Sequence, residues 1–77
     1  MNEETPLPSS KDSEEAMVGG LMVGGDMDEV ADIVTSSDML YSSRHREIYK
    51  AMLLLHGRDE PIDQVTVCEE LIRLGKL

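Results

Sequence analysis

The sequence predicts an all-α fold, a small bundle of about four short helices with no sheet. Two observations lead to this prediction. Apolar residues recur at intervals of three and four positions in several segments, which places them on one face of a helix. Residues that cap helix starts and residues that end helices also alternate along the chain. We find no convincing run of alternating apolar and polar residues that would indicate a strand.

The chain begins with a polar, acidic segment that contains Pro6 and Pro8. Such a composition cannot bury enough apolar surface to offset the entropy of ordering the chain. We therefore expect residues 1–9 to be a disordered lead-in and residues 10–77 to form the helical domain.

The first helix is predicted to start at Ser9 or Ser10, either of which can cap it. Asp12, Glu14 and Glu15 then lie near the positive end of the helix dipole. Gly24 and Gly25 end the helix, as glycine commonly does. The predicted buried face comprises Ala16, Met17, Gly20, Leu21 and either Val23 or Gly24.

A second, short helix is predicted after Asp26, with Glu29 three residues further on as a start signal. Its buried residues are Val30, Ile33 and Val34. Residues 35–38 break it. The next three residues form a short apolar plug, which could be a single helical turn: Met39, Leu40 and Tyr41.

The third helix gives the strongest signal in the chain. Ser42 and Ser43 cap it, and it ends at Gly57. The apolar residues that recur along it are Ile48, Tyr49, Met52 and Leu55.

A fourth helix follows Pro61, which fixes its own backbone and disfavours helix at the residue before it. Asp63 can cap this helix, and Thr66 with Glu69 forms a second possible capping box. Its apolar face is spaced at i, i+4 and i+7 and comprises Val67, Leu71 and Leu74.

Composition limits the possible functions. The 77 residues allow at most one domain, and 3% aromatic content with six methionines predicts an aliphatic core. The net charge of −9 opposes strong direct binding of nucleic acid, which depends on Lys and Arg. We interpret the acidic residues as a solvated surface, with a dedicated patch for a basic partner as the alternative. No apolar run is long enough to cross a membrane, and the acidic first residues do not resemble a signal peptide.

Cys68 is the single cysteine, so no internal disulfide can form, which fits a reducing cytoplasm. We expect a buried apolar thiol rather than a nucleophile, because no suitable His and Asn accompany it. His45 and His56 lie about 16 Å apart along one helix, too far to share a metal. We expect His45 to bond the segment 40–42 and His56 to suit the negative end of its helix.

Two glycine pairs, Gly19-Gly20 and Gly24-Gly25, do not form a phosphate-binding loop. Such a loop needs a preceding strand and a Lys followed by Ser or Thr, and neither pair has them. Close packing of the first helix against a neighbour better explains Gly19 and Gly20. The sequence therefore predicts no catalytic, cofactor-binding or metal-binding residue.

A series of short motifs resembles the N-terminal domain of DnaB-type replicative helicases, in order and spacing, from Pro8 to Leu77. The motifs are Pro8, Glu14-Glu15, Met17-Val18, Gly19-Gly20-Leu21-Met22, Leu40-Tyr41, the segment 42–52, Pro61-Ile62-Asp63, Thr66 and Gly75-Lys76-Leu77. Two departures indicate a divergent member. Leu40 stands where the family usually has Phe, and Gly24-Gly25 replaces an Asp/Asn-rich turn.

The resemblance implies a non-catalytic scaffold domain in a hexameric replicative helicase of a bacterial or phage-infected cell. Such domains form a collar above the motor domains and a platform for primase and, in some systems, a loader. ATP and Mg²⁺ would belong to a motor domain, so no cofactor is expected here. The family residues that map onto this chain have structural roles: Gly19, Gly20, Tyr41, His45, Pro61 and Asp63.

Three alternatives remain open from the sequence. The chain could be a standalone mimic or inhibitor of the helicase head from a phage or plasmid. It could be the helicase-binding domain of a primase, or an unrelated small helical regulator. Under the helicase interpretation, the isolated head should be monomeric or weakly dimeric and should not hydrolyse ATP.

Overall fold

The computed structural model describes residues 11–76, which form four α-helices and one short 3-10 turn. The helices are α1 (Lys11–Met22), α2 (Met27–Ile33), α3 (Ser43–Gly57) and α4 (Gln64–Arg73), and the 3-10 turn is Ser37–Met39. No strand occurs in this range. The predicted all-α fold with four helices is confirmed. The predicted lead-in and the caps at Ser9 and Ser10 lie outside the described residues.

Three helices begin at the predicted capping residues. Asp26 accepts a hydrogen bond from the Glu29 amide at 3.2 Å, and Ser42 caps α3. Asp63 caps α4, but the predicted second capping box between Thr66 and Glu69 is wrong. Thr66 instead forms a capping box with Asp63. The side chain of each residue accepts a hydrogen bond from the backbone amide of the other at 2.9 Å.

Helices α1, α3 and α4 end with the chain entering the left-handed region. Gly24 (φ 108°) and Gly75 (φ 74°) do this after α1 and α4, where glycine carries no steric cost. After α3 the left-handed residue is Asp59 (φ 60°) rather than a glycine. Its amide and that of Glu60 bond the last carbonyls of α3, those of His56 and Leu55.

The core is a single cluster built around α3, which packs against α1, α4 and the 3-10 turn. Tyr49 and Met52 of α3 are completely buried, and the Tyr49 hydroxyl donates to the Val34 carbonyl at 2.6 Å. The other members are aliphatic, as predicted. They are Val18, Leu21, Met27, Val34, Leu40, Ala51, Leu55, Val67 and Leu71.

The predicted buried face of α1 is wrong in part. Ala16 is exposed and Val23 is 84% exposed, whereas the buried positions are Glu14, Val18 and Leu21. Those three are spaced at i, i+4 and i+7, which is one helical face. The prediction missed this phase because its first position holds a charged residue.

The predicted reason for Gly19 and Gly20 is also wrong. A Cβ atom at either position would meet no neighbour within 4 Å. The close approach is at Gly25, where a Cβ would lie 2.8 Å from the Gly20 carbonyl oxygen. The Gly25 amide donates to that same oxygen at 2.9 Å, so the tight fold of the chain after α1 requires glycine at position 25.

The segment between α2 and α3 matches its prediction only in part. Ile33 was expected to be buried and is 37% exposed, while Val34 is buried. In the apolar plug, Leu40 is buried but Tyr41 is 60% exposed. The helical turn precedes the plug and includes only Met39 from it.

Candidate interaction site

A buried carboxylate joins α1 to the start of α3. Glu14 is 0% exposed, and its Oε1 accepts a hydrogen bond from the Tyr41 amide. Its Oε2 accepts from the Ser42 amide at 2.9 Å and lies 2.7 Å from His45 Nδ1. The negative charge thus lies at the positive end of α3, where free amides and the helix dipole favour an anion.

Arg46 completes the fixing of this segment. Its Nη1 donates to the carbonyl oxygens of Leu40 and Tyr41 at 2.8 and 2.9 Å. The segment 40–42 is therefore held by Glu14 through its amides and by Arg46 through its carbonyls. His45 was expected to bond this segment, and its amide does donate to Ser42 Oγ at 3.4 Å. Its ring binds the Glu14 carboxylate.

The hydrogen bonds decide the charge state of Glu14. Burial alone would raise the pKa of this carboxyl, but the amides of Ser42 and Tyr41, together with His45, lower it below its ordinary value. An ionised carboxylate can only accept hydrogen bonds, so His45 donates from Nδ1. The hydrogen bonds around Glu14 therefore connect α1 to the start of α3 and keep the Glu14 carboxylate ionised.

A second buried carboxylate fixes α4. Arg58, just after α3, binds Glu70 through two nitrogens, Nη2 to Oε1 at 2.7 Å and Nη1 to Oε2 at 3.3 Å. Glu70 is 2% exposed, and Arg73 also approaches its Oε1 at 3.4 Å. The Arg58 hydrogen bonds lower the pKa of Glu70, while Glu70 and then Glu60 raise the pKa of Arg58.

A groove of about 510 Å³ lies on the surface between α3 and α4. Its apolar lining comprises Met22, Ile48, Val67, Cys68 and Leu71. Its polar lining comprises Arg44, Glu47, Gln64 and Lys76. The α4 residues Gln64, Cys68 and Leu71 follow the spacing of one helical face, so the groove runs along the helix.

The outer surface of α4 continues the apolar character of this groove. Val65 and Ile72 are 65% and 63% exposed, and Cys68 is exposed between them. The three residues are spaced at i, i+3 and i+7 and so lie on one face. We call Val65, Cys68 and Ile72 the α4 stripe. The expectation that Cys68 is buried is wrong, because its side chain points to this surface rather than to the Val67–Leu71 core face.

Arg44 is the unpaired cation of the groove. It is exposed and forms no ion pair or hydrogen bond with any residue of the described range. Lys76 lies 3.8 Å from Glu47, which is a loose contact between an exposed lysine and a half-buried glutamate. The groove therefore presents two cationic side chains and one carboxylate in a chain whose net charge is −9.

The structure separates the two histidines, as the helix geometry predicted. His45 binds Glu14 at the start of α3, whereas His56 Nε2 lies 2.8 Å from Asp28 Oδ1 near the end of that helix.

Within residues 11–76, no group of three or more His, Cys, Asp or Glu side chains is arranged to hold a metal. None of the helices in that range is long and apolar enough to span a membrane. That the chain holds no catalytic or cofactor-binding residue stays a prediction.

The two buried glutamates are the residues that sequence reasoning missed. Glu14 is in phase with Val18 and Leu21, and Glu70 with Val67 and Leu74. This phase was the available signal, since a charged residue on an apolar helical face requires a partner. The partners themselves could not be found from spacing, because His45 and Arg58 lie 31 and 12 residues away.

Comparison with known proteins identifies the family of this fold. The family model described as the DnaB-like helicase N terminal domain matches residues 6–77. The "Replicative DNA helicase DnaB" of Leifsonia xyli is 36% identical over 97% of the chain, and that of Mycobacterium leprae is 38% identical over 91%. The "Replicative DNA helicase DnaC" of Bacillus subtilis is 37% identical over 92%.

The match covers only a small part of each relative. The chain spans 16% of the Leifsonia xyli protein, 12% of the Mycobacterium leprae protein and 15% of the Bacillus subtilis protein. No solved structure matches the chain. The match of the family model to almost the whole sequence is sufficient to assign the family, and the chain belongs to the DnaB-like helicase N-terminal domains.

Proposed function

We propose that this domain is a non-catalytic scaffold of a hexameric replicative DNA helicase, which contributes to the ring collar and offers a platform for primase or a loader. The observation that carries this proposal is the family match over residues 6–77, together with relatives that are named replicative helicases. The domain would act in the cytoplasm of a bacterial or phage-infected cell. Other helicase subunits are its first expected partners.

The geometry supports a scaffold role. The two buried carboxylates make fixed links between helices, Glu14 from α1 to α3 and Glu70 from α4 to the residue that follows α3. A rigid domain loses little conformational entropy when it binds a partner. Two cationic side chains, Arg44 and Lys76, and several apolar side chains line the α3–α4 groove together. Such a surface suits recognition of a protein rather than of nucleic acid phosphates.

ATP and Mg²⁺ would belong to the motor domain of such a helicase. We assign no residue of this chain to either. The helicase relatives favour this role over that of a primase domain, since each of the three compared above is named as a helicase.

The test is direct binding. The immobilised chain would be exposed separately to the purified replicative helicase and the purified primase of its own cell, and the dissociation constants measured. We expect at least one of these proteins to bind the immobilised chain with measurable affinity. Free chain added in solution should compete for that binding. If neither protein binds at micromolar concentration, the scaffold role is wrong. Stoichiometric inhibition of DNA unwinding by added chain would instead favour a helicase-head mimic.

A further inference from the structure

We propose that the α3–α4 groove is a docking site for an amphipathic α-helix of a partner protein, with acidic side chains beside its apolar face. The inference rests on the proposed function in one respect, that the domain binds other proteins. It adds the chemistry of the partner and the surface that receives it.

The shape and lining of the groove fit a helix. The lining residues of α4 run from Gln64 to Leu71, which is about 10 Å or two helical turns. A helix of three or four turns would lay its apolar face over Ile48 and Leu71. This mode of recognition uses apolar anchors at i, i+3, i+4 and i+7 in the bound helix.

The apolar surface extends beyond the groove itself. Cys68 lines the groove and also belongs to the α4 stripe, so the groove and the exposed side chains of Val65 and Ile72 form one continuous region. Single exposed apolar residues are ordinary, but a continuous apolar region with a polar rim is typical of an interaction site.

Charge selects the partner. Within residues 11–76, Arg44 has no counter-ion and Lys76 contacts only Glu47, at 3.8 Å. A bound helix with glutamate or aspartate beside its apolar face would pair with both cations. A second copy of this chain is the competing occupant, and the dependence on protein concentration described below distinguishes it.

Cys68 makes the groove directly measurable, since it is the single thiol of the chain and is exposed. The probe is a synthetic helical peptide with leucine at i, i+3, i+4 and i+7 and glutamate beside these positions. A matched peptide carries lysine at every glutamate position. We expect the acidic peptide, and not the basic one, to slow alkylation of Cys68 by N-ethylmaleimide and to bind several-fold more tightly by fluorescence anisotropy.

A pair of charge reversals tests the role of Arg44. Arg44→Glu should weaken binding of the acidic peptide by about two- to fivefold, and the effect should shrink as salt is raised. Lys50→Glu is the matched control, because Lys50 is an exposed residue of the same helix, lies outside the groove and has no partner in the described part of the chain. It changes the net charge equally and should leave the affinity unchanged. Circular dichroism would verify that both variants keep the helical fold.

Several results would overturn the proposal. They are equal affinity for the two peptides, no protection of Cys68 at millimolar acidic peptide, and equal effects of Arg44→Glu and Lys50→Glu. Protection that rises with protein concentration alone would assign the groove to a second copy. Protection that is present in the protein from its own cells and persists after all bound proteins have been removed would assign it to a helix of the same polypeptide. The Arg44→Glu variant also separates this proposal from the proposed function. If it no longer binds the acidic peptide but still binds helicase or primase, the proposed function stands and those partners bind another surface.

Discussion

Glu14 Oε2 lies 2.7 Å from His45 Nδ1, and this contact ties α1 to α3 across 31 residues of sequence. The same carboxylate also accepts hydrogen bonds from the backbone amides of Tyr41 and Ser42. One buried side chain of α1 therefore binds the backbone at the start of α3. A capping residue normally comes from the helix it caps. Here Ser42 provides that local cap, and Glu14 adds a second anion from a distant helix.

Replacement of this carboxylate should be costly. We expect Glu14→Gln to lower the free energy of unfolding by about 2 kcal/mol, because charge-assisted hydrogen bonds are lost and an amide must fit among three donors. Glu15→Gln is the matched control, since Glu15 is an exposed neighbour, and it should change stability by less than about 0.5 kcal/mol. Urea unfolding monitored by circular dichroism measures both. Equal effects of the two substitutions would contradict the structural role of Glu14.

The lowered pKa of Glu14 sets the direction of the pH dependence. Its pKa is below the ordinary value of 4.5 in the folded state, so the unfolded chain binds the proton more tightly. The stabilisation is complete above pH 4.5 and is lost as the pH falls through the lowered folded pKa. Glu70 acts in the same direction. Thermal unfolding between pH 7 and pH 3 should show this loss, and Glu14→Gln should show a smaller one. An unchanged slope in the variant would contradict the assignment.

The buried tyrosine hydroxyl offers a second matched pair. Tyr49→Phe removes the donor to the Val34 carbonyl at 2.6 Å and leaves that carbonyl buried without its partner. We expect a loss of about 1–3 kcal/mol. Tyr41→Phe changes the same group on a side chain that is 60% exposed, and stability should stay within about 0.5 kcal/mol. If Tyr49→Phe proves neutral in chemical denaturation, the bond contributes nothing net.

Gly19 in α1 and Gly25, which follows that helix, should respond in opposite directions to alanine. Gly25→Ala forces a Cβ toward the Gly20 carbonyl oxygen, a backbone atom that cannot move aside freely. We expect destabilisation of about 1–3 kcal/mol. Gly19→Ala adds a Cβ in open space within a helix and should stabilise by about 0.5–1 kcal/mol. Differential scanning calorimetry would order the melting temperatures Gly19→Ala, wild type, Gly25→Ala, and the reverse order would refute the assigned close approach.

A glycine in place of Asp59, just after α3, should make the fold more stable. Asp59 adopts φ 60°, a region that is strained for a side chain and free for glycine. Asp59→Gly should therefore raise the free energy of unfolding by about 0.5–1 kcal/mol, and Asp59→Val should lower it. The midpoints of urea denaturation provide the comparison. A destabilised glycine variant would mean that the Asp59 side chain makes a contribution larger than the backbone strain.

Much of the fold was predictable because its signals are local. Asp26, Ser42 and Asp63 are capping residues that act within three positions of themselves, so their sequence context is sufficient. The end of α3 at Gly57 was also predicted, although the left-handed residue that closes it is Asp59. Aspartate is a weaker marker of this conformation than glycine, which explains the miss.

The errors arose where tertiary contacts override local preference. Glu14 was assigned to a solvated acidic surface because glutamate is almost never buried unless it is paired, and its partners are distant in sequence. The exposure of Cys68 and the groove beside it depend on how α3 and α4 pack, which no spacing within α4 determines. The family resemblance supplied the proposed role, but not the surface that would carry it.

The central claim is that this domain works as a scaffold of a replicative helicase. The most direct measurement is to purify the protein from its own cells with an antibody against residues 11–76 and identify by mass spectrometry the polypeptide that carries the domain and those bound to it. We predict a helicase motor sequence on that polypeptide, with primase or a loader associated. A polypeptide without a motor sequence, bound to neither helicase subunits nor primase, would contradict the account.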